Sequence, residues 1–200
     1  MIHIVNYGLG NLASIQNMLK KVGVNSIITS DPAQLLKAEK LILPGVGAFD
    51  EGMSNLKKFG ISEILNQKVL IEKKGILGIC LGMQLMTNGS EEGSLPGLGW
   101  IDGRTVRFSN TNIKVPHMGW NIVKPNFQSS LFPDTTAELR FYHVHSYYVK
   151  LNEHSLEVGS TTYEREFTSA FQKDNIWGVQ FHPEKSHRFG MDLLRNFSQL

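Results

Sequence analysis

The sequence predicts a single-domain α/β protein with a doubly wound, mostly parallel sheet, helices on both faces of the sheet, and an antiparallel or mixed extension. Short apolar runs alternate with helical patterns from residue 2 to residue 86, which is typical of repeated strand–helix units. Alternating, β-rich segments replace the helical patterns between residues 97 and 173. The length suits one domain with a full core, so we expect residues 1–200 to form it.

The first part of the chain has the order expected of a doubly wound protein. Residues 2–5 are an apolar run, a turn with two glycines follows, and residues 12–22 have apolar positions at helical spacing. Residues 27–29 and 41–43 are the second and third apolar runs. Strand, glycine turn and helix form the opening of a doubly wound unit.

Residues 75–86 are the centre of the predicted fold, because a strand, the single cysteine and the start of a helix follow one another there. Gly78 lies two residues before Cys80 and Gly82 two residues after it, which is a nucleophile elbow with cysteine in place of serine. The helix N-terminus would favour a thiolate, and the N–H of Leu81 would face an oxyanion. A lone cysteine is more often a buried structural residue, but the two glycines favour the nucleophile.

The remaining elements follow from the same two periodicities. Residues 53–73 have helical spacing with a break at Gly60, and residues 188–197 form a closing amphipathic helix. The predicted strands beyond the cysteine are residues 104–108, 119–123, 139–149, 169–172 and 176–181.

Composition excludes several classes of partner. The 20 basic and 18 acidic residues are nearly balanced and form no basic run, so we expect neither nucleic acid nor a membrane surface as a partner. One cysteine cannot form an internal disulfide, and a reducing cytoplasm keeps it as a thiol. The first residues lack the pattern of a signal peptide, and no apolar stretch has membrane-spanning length. We therefore expect a cytoplasmic protein.

A base and its orienting group follow directly on the last predicted strand. His182 and Glu184 are separated by one proline, which fixes the turn between them. A cysteine nucleophile needs a base within hydrogen-bond reach and a third group that orients the base. Such a tripeptide by itself is usually surface turn chemistry, but combined with Cys80 it predicts a catalytic triad.

The loop at residues 44–49 is a second candidate for oxyanion binding. Two glycines flank Val46 at the carboxyl end of a predicted parallel strand, and glycines give the peptide planes there unusual freedom. A backbone N–H of this loop can face an oxyanion. The alternative is an ordinary tight turn into the next helix.

These motifs resemble the triad, or class I, glutamine amidotransferases, first through residues 78–84 and 182–184. Further motifs narrow the resemblance to the glutaminase subunits of imidazole glycerol phosphate synthase, from histidine biosynthesis. They are residues 6–14, 44–49, 116–121, 142–148 and 181–186. The resemblance covers the chain from end to end and implies a flavodoxin-like fold.

The resemblance also implies a reaction and its residues. Cys80 would attack the side-chain amide of glutamine, His182 would protonate the departing ammonia, and Glu184 would hold the imidazole. A glutamyl thioester would remain and be hydrolysed to glutamate. The residues implied to bind glutamine or its oxyanion are Val46, Gly47, Leu81, Gln84, Glu92, Ser146 and Tyr147.

A partner is implied in the same way. Members of this family pass ammonia to a (β/α)8-barrel cyclase in a heterodimer, which makes imidazole glycerol phosphate and an aminoimidazole carboxamide ribotide. Trp120, Tyr142 and Lys185 match family positions that face the cyclase, although the two aromatic residues would also suit a core and the lysine a solvated surface. Members of this family need no metal for the glutaminase step, so we expect neither a cofactor nor a metal. Related subunits supply other acceptors, for instance in surface-sugar biosynthesis, and that alternative stays open.

Three other interpretations compete with this one. A dinucleotide-binding fingerprint is one of them, and it would consist of Gly8, Gly10, Ala13 and Asp31. However, Asp31 is better explained as a helix N-cap, because a proline follows it and a capping-box glutamine lies three residues on. His143 and His145 lie on one face of a strand and suggest a metal pair, yet no nearby third ligand supports it. A non-catalytic interaction subunit would keep the partner surface and leave the cysteine inert.

Overall fold

A computed structural model describes residues 1–109, 113–126, 129, 131–132 and 137–200. The strands of the described residues are β1 (Ile2–Val5), β2 (Ser26–Thr29), β3 (Lys40–Leu43), β4 (Gly75–Ile79), β5 (Gly103–Arg107), β6 (His117–Pro125), β7 (Leu139–His145), β8 (Tyr147–Leu151), β9 (Glu157–Tyr163), β10 (Arg165–Lys173) and β11 (Ile176–Val179). The helices are α1 (Leu12–Lys21), α2 (Pro32–Leu35), α3 (Phe49–Lys58), α4 (Ile61–Asn66), α5 (Leu81–Leu85) and α6 (His187–Gln199). A π-helical segment, Gln67–Ile71, continues α4, and 3-10 turns lie at His154–Leu156 and Pro183–Lys185.

The strands form one mixed sheet with a parallel half and an antiparallel half. The parallel half has the order β2-β1-β3-β4-β11, and β4 lies between β3 and β11. Parallel strands end at the same edge of a sheet, so the segments that follow β3, β4 and β11 meet there. These segments contain the glycine loop, Cys80 and His182, respectively.

Alternate residues of the parallel strands pack against helices on opposite faces. Ile4 and Leu77 belong to the apolar cluster that includes α1 and α6, whereas Val5 and Ile76 belong to the cluster that includes α3, α4 and α5. Strand side chains alternate between faces, so a strand covered on both sides is apolar throughout. The prediction of a doubly wound sheet is confirmed.

The antiparallel half continues the sheet through β10, β9, β6 and β7. A branch leads from β10 through β8 to β5. The predicted antiparallel or mixed extension is therefore confirmed.

In the antiparallel half one prediction was wrong in detail, and one strand was missed. Residues 139–149, predicted as one strand, are β7 and β8 with Ser146 between them, because β7 pairs with β6 whereas β8 pairs with β5. The strand β9 was not predicted. Its residues are Glu-Val-Gly-Ser-Thr-Thr-Tyr, which have no apolar alternation, and pairing with β10 and β6 determines its conformation.

Local features of the first half follow the sequence closely. Asp31 caps α2, because its Oδ1 accepts a hydrogen bond of 2.9 Å from the N–H of Ala33. Gly60, with φ of 65°, separates α3 from α4 as predicted. Gly10 has φ of 112°, and a Cβ there would lie 3.1 Å from the Cβ of Pro44. The glycine turn after β1 is thus accounted for by packing against the loop that follows β3. No helix of the described residues is long and apolar enough to cross a membrane.

Candidate active site

The turn between β4 and α5 has the geometry of a nucleophile elbow. Cys80 has φ of 53° and ψ of −109°, a backbone conformation that residues other than glycine rarely adopt. A Cβ at Gly82 would lie 1.8 Å from the carbonyl oxygen of Leu43, and one at Gly78 would lie 2.8 Å from backbone atoms of Met83. Both glycines are therefore required by close backbone contacts. The strained cysteine is held where the strand ends.

His182 and Glu184 form a buried pair beside this turn. Nδ1 of His182 lies 2.8 Å from Oε1 of Glu184, and the two side chains are 1% and 2% exposed. The carbonyl oxygen of His182 accepts hydrogen bonds from Ser186 Oγ at 2.6 Å and from the N–H of Lys185 at 3.0 Å. The 3-10 turn after His182 thus fixes the imidazole and its carboxylate together, in the arrangement of an oriented base.

The imidazole of His182 is held in its charged form. Burial by itself opposes a charged ring, but the thiolate charge of Cys80 and the contact with Glu184 raise the pKa of His182 to about 10. Nε2 has no hydrogen-bond partner among the described residues. The sulfur therefore acts on the ring mainly through its charge. The arrangement favours an imidazolium beside the sulfur.

Cys80 opens onto a cavity of about 470 Å³. All seven residues expected to bind glutamine or its oxyanion line this cavity: Val46, Gly47, Leu81, Gln84, Glu92, Ser146 and Tyr147. Lys185, expected at a partner interface, lines it as well. The structure thus brings together groups from both halves of the chain, and their roles stay predictions.

The loop after β3 accepts a hydrogen bond from one of the expected oxyanion donors. The N–H of Leu81 donates a hydrogen bond of 3.3 Å to the carbonyl oxygen of Gly45. The start of the loop is anchored, since Tyr7 Oη donates a 2.6 Å bond to the carbonyl oxygen of Pro44. Gly47 has φ of 120°. In this conformation an oxyanion at Cys80 would have to displace the Gly45 carbonyl to reach the Leu81 N–H.

Glu92 has a structural contact in addition to its position at the cavity. Its Oε2 accepts a 2.9 Å hydrogen bond from the N–H of Phe49, the first residue of α3. A carboxylate at a helix N-terminus is stabilised by unpaired N–H groups and by the helix dipole. The Glu92 side chain is thus fixed at the cavity edge, where a carboxylate suits a cationic group of a ligand.

Gln180 is a site residue that the sequence analysis missed. It is fully buried, its Nε2 lies 3.6 Å from Cys80 Sγ, and its Oε1 accepts a 3.0 Å bond from Gln84 Nε2. Gln180 precedes His182 by two residues and follows directly on β11. That spacing is the signal that could have identified it.

The three histidines of the antiparallel half correct one expectation. Nδ1 of His117 and Nδ1 of His143 lie 3.1 Å and 3.2 Å from Nε2 of His145, and one nitrogen of each ring lies within 4.8 Å of the others. The expectation that no third ligand lies near His143 and His145 was wrong, because β6 pairs with β7 and places His117 opposite His145. We call these residues the histidine trio.

Hydrogen bonds assign the protons of His117 and His145. Asn121 Nδ2 donates to the carbonyl oxygen of Thr162 at 3.0 Å and to His117 Nε2 at 3.1 Å, so His117 carries its proton on Nδ1 and donates it to His145. His145 Nδ1 donates in turn to the carbonyl oxygen of Tyr147 at 2.8 Å. These two rings are thus neutral, and burial holds the pKa of His143 well below its usual value. The absence of a metal at the trio stays a prediction.

The expected interface residues lie together on the surface. Trp120 is 47% exposed and stacks on His187 with ring centroids 5.5 Å apart. Its ring also makes an edge-to-face contact with Tyr142, over which Lys185 Nζ lies at 5.7 Å. Trp120 is therefore not a core residue. Because Lys185 lines the cavity too, this surface adjoins the candidate active site.

Comparison with known proteins gives a family match over nearly the whole chain. The family model described as glutamine amidotransferase class-I matches residues 3–199. The chain is similar to imidazole glycerol phosphate synthase subunit HisH 2 of Methanococcus maripaludis, with 57% identity over 98% of each chain. It is also similar to imidazole glycerol phosphate synthase subunit HisH 2 of Pseudomonas aeruginosa, with 48% identity over 100% of each chain.

Solved structures share the fold at low sequence identity. The structure of PurLQS from Thermotoga maritima aligns with a TM-score of 0.74 and 16% identity, covering 99% of this chain and 97% of that one. The glutaminase domain of Trypanosoma brucei CTPS aligns with a TM-score of 0.66 and 15% identity, covering 99% of this chain and 93% of that one. These likenesses support the fold.

Proposed function

We infer that this chain, which belongs to the class-I glutamine amidotransferase family, is the glutaminase subunit of an imidazole glycerol phosphate synthase. It hydrolyses glutamine to glutamate and ammonia, and the ammonia serves a synthase reaction in histidine biosynthesis. One observation carries the chemistry: Cys80 on its strained turn and the buried His182–Glu184 pair meet at the carboxyl edge of the parallel strands. Residues 1–200 act as one amidotransferase domain, and a reducing cytoplasm suits its thiol.

The charge state of the pair sets the order of proton transfers. The Cys80 thiolate attacks the amide carbon of glutamine, and the imidazolium of His182 gives its proton to the departing ammonia. The neutral imidazole then takes a proton from the water that hydrolyses the glutamyl thioester. Glu184 holds Nδ1 at 2.8 Å and stabilises the ring whenever it is charged. Sulfur, imidazole and carboxylate return to their starting states after one turnover.

The cavity walls supply contacts for the amino-acid end of glutamine. The Glu92 carboxylate suits the α-ammonium group, and Gln84 with the backbone at Ser146 and Tyr147 completes the binding site. The cavity of about 470 Å³ has room for a single amino acid. We assign these residues to substrate binding by their position and chemistry.

The resting loop predicts that the isolated chain is slow. The Leu81 N–H is bonded to Gly45, and the second oxyanion donor must come from the loop at Val46 and Gly47. A missing oxyanion donor costs roughly a hundred- to a thousandfold in rate. A change in the loop that releases Leu81 and presents a second N–H would switch hydrolysis on.

We assign that switch to the partner, a (β/α)8-barrel cyclase that forms a heterodimer with this chain. The surface at Trp120, Tyr142 and Lys185 adjoins the cavity, so a partner bound there lies close to both the ammonia and the loop. Ammonia passes into the cyclase, which makes imidazole glycerol phosphate and an aminoimidazole carboxamide ribotide. Hydrolysis without an acceptor would waste glutamine, and a slow resting state prevents that loss.

The test compares glutamate release by the lone chain, by its complex with the cyclase, and by that complex with the cyclase's nucleotide substrate added. We expect the loaded complex to exceed the lone chain by at least about a hundredfold. Equal rates for the lone chain and the loaded complex would rule out the switch. Failure of every mixture to release glutamate would contradict the glutaminase assignment, and glutamate release without transfer to this nucleotide would indicate another ammonia acceptor.

A further inference from the structure

In the resting structure, the side-chain amide of Gln180 donates a hydrogen bond to the Cys80 sulfur. Nε2 of Gln180 lies 3.6 Å from Sγ, within the range of an N–H···S bond, whereas Nε2 of His182 has no partner in hydrogen-bond geometry among the described residues. Gln180 is 0% exposed, so water does not compete for its N–H. A buried amide directed at a nucleophile is suited to stabilise negative charge on it.

The orientation of this amide follows from a backbone carbonyl group. The carbonyl oxygen of Tyr147 can only accept hydrogen bonds, and Gln84 lies 3.2 Å from it, so the Gln84 atom that faces it is Nε2. The same nitrogen faces Gln180 at 3.0 Å, so Gln180 must present Oε1 to it. Its Nε2 then points to the sulfur. Reversing either amide would place two donors or two acceptors face to face.

We propose that Gln180 is a catalytic residue whose side-chain N–H donates to the Cys80 thiolate, with its orientation set through Gln84 by the Tyr147 carbonyl. This inference rests on the proposed glutaminase reaction. The donor stabilises the sulfur anion before it attacks, and again when the thioester C–S bond breaks and the electron pair returns to sulfur. It also restricts the side-chain rotamer of Cys80 on its strained turn.

We call the hydrogen bonds that link the Tyr147 carbonyl, Gln84, Gln180 and the Cys80 sulfur the relay. The relay determines which atom of Gln84 can contact the substrate. Both hydrogens of Gln84 Nε2 are used, one by the carbonyl oxygen of Tyr147 and one by Oε1 of Gln180. The carbonyl oxygen Oε1 is the polar atom that Gln84 can present to a ligand. An acceptor suits the α-ammonium group of glutamine, so Gln84 and the Glu92 carboxylate would share that group.

The relay also connects the sulfur to the cavity wall. Tyr147 begins β8 and lines the cavity, and its carbonyl oxygen accepts hydrogen bonds from Gln84 at 3.2 Å and from His145 at 2.8 Å. Displacing this carbonyl would weaken the bond that orients Gln84 and then the bond that orients Gln180. The position of the wall is therefore coupled to the donor on the sulfur.

The experiment measures the rate of Cys80 alkylation by iodoacetamide against pH, without glutamine. The chain has one cysteine, so the signal has a single source. Gln180→Met keeps the side-chain length and removes donor and acceptor. Gln180→Glu keeps an acceptor for Gln84 but places a carboxylate oxygen at the sulfur. Gln172→Met is the matched control, because Gln172 lies on β10 and its side chain bonds to Ser129 rather than to Cys80.

We expect the acid midpoint of alkylation to rise by about one to two pH units in Gln180→Met, since a hydrogen bond to a charged group contributes roughly ten- to hundredfold in equilibrium. It should rise further in Gln180→Glu, because two negative charges then face each other. The Gln172→Met profile should coincide with that of the unaltered protein. Circular dichroism and thermal unfolding check that each variant is folded.

A folded Gln180→Met protein with the unaltered alkylation profile would overturn the proposal, as would a Gln180→Glu shift no larger than that of Gln180→Met. If Gln180→Met does not fold, Gln180→Glu decides alone against the unaltered protein. In the complex, glutamine turnover by Gln180→Met should fall about tenfold or more, with KM changed less than about threefold. Alkylation does not require hydrolysis, so shifted profiles in a chain that releases no glutamate would contradict the proposed function and leave the sulfur donor intact.

Discussion

His182 and the histidine trio are similarly buried, yet their pKa values move in opposite directions. His182 is 1% exposed and its pKa is raised to about 10. Burial lowers the pKa of His117 to about 4 and that of His145 to about 3, and it lowers the pKa of His143 as well. The trio members are each no more than 6% exposed.

The neighbours explain the difference. His182 lies between the Cys80 thiolate and the Glu184 carboxylate, and these charges outweigh the cost of burying a cation. The trio members have one another, aromatic rings and backbone carbonyls as neighbours. A positive charge on one of these histidines therefore opposes protonation of the other two. Burial is common to both groups, and the charged partners distinguish His182 from the trio.

Removing the sulfur should have the largest effect. Cys80→Ala should abolish glutamine hydrolysis, a loss of at least about ten-thousandfold, because covalent catalysis is lost while little packing changes. It should also lower the pKa of His182 toward those of the trio, since a charged neighbour is gone. The measurement is glutamate release by the complex, and added ammonium salts should still drive the synthase reaction. Persisting glutamine turnover would contradict the assignment.

Removing the carboxylate charge should have the next largest effect. Glu184→Gln keeps the size of the side chain but not the charge that stabilises the imidazolium, so turnover should fall roughly a hundred- to ten-thousandfold. The KM for glutamine should change little, as for an interaction made in the transition state. Steady-state kinetics on the complex test this. An unchanged turnover number would reduce Glu184 to a residue of the turn.

The trio predicts a loss of stability in acid. Unfolded histidines bind protons near pH 6.5, but the folded trio does so only near pH 4 or below, so the unfolded state holds more protons between these values. The free energy of unfolding should fall as pH is lowered from 6.5 to 4, by up to about 1.4 kcal/mol per pH unit for each histidine. Urea unfolding at several pH values measures it. His117→Gln should flatten the slope by one proton, and an unchanged slope would contradict the neutral trio.

The sequence predicted the parts of the molecule whose causes are local. The glycine spacing around Cys80 and the proline between His182 and Glu184 indicated the elbow and the oriented base, because close backbone contacts and a fixed turn need few residues. Strand–helix periodicity indicated the doubly wound half. These features depend on neighbours within a few positions along the chain.

What the sequence did not predict depends on pairing between distant strands. His117 joins His143 and His145 only because β6 pairs with β7, and Gln180 reaches Cys80 across 100 residues of chain. The division at Ser146 exists because β7 and β8 have different partners. No local pattern specifies the contacts within the trio. The spacing between Gln180 and His182 places Gln180 near the site, but its contact with the sulfur is visible only in the folded structure.

Titration of the imidazole nitrogens by NMR, with 15N-labelled histidine, tests the central claim most directly. Single histidine replacements assign the signals of His182 and of the trio. The thiolate and Glu184 should keep His182 an imidazolium through neutral pH, with deprotonation near pH 10, while the trio stays neutral down to about pH 4. Burial without charged neighbours would instead make the His182 ring deprotonate at or below pH 6.5. That result would contradict the thiolate–imidazolium pair on which the proposed reaction depends.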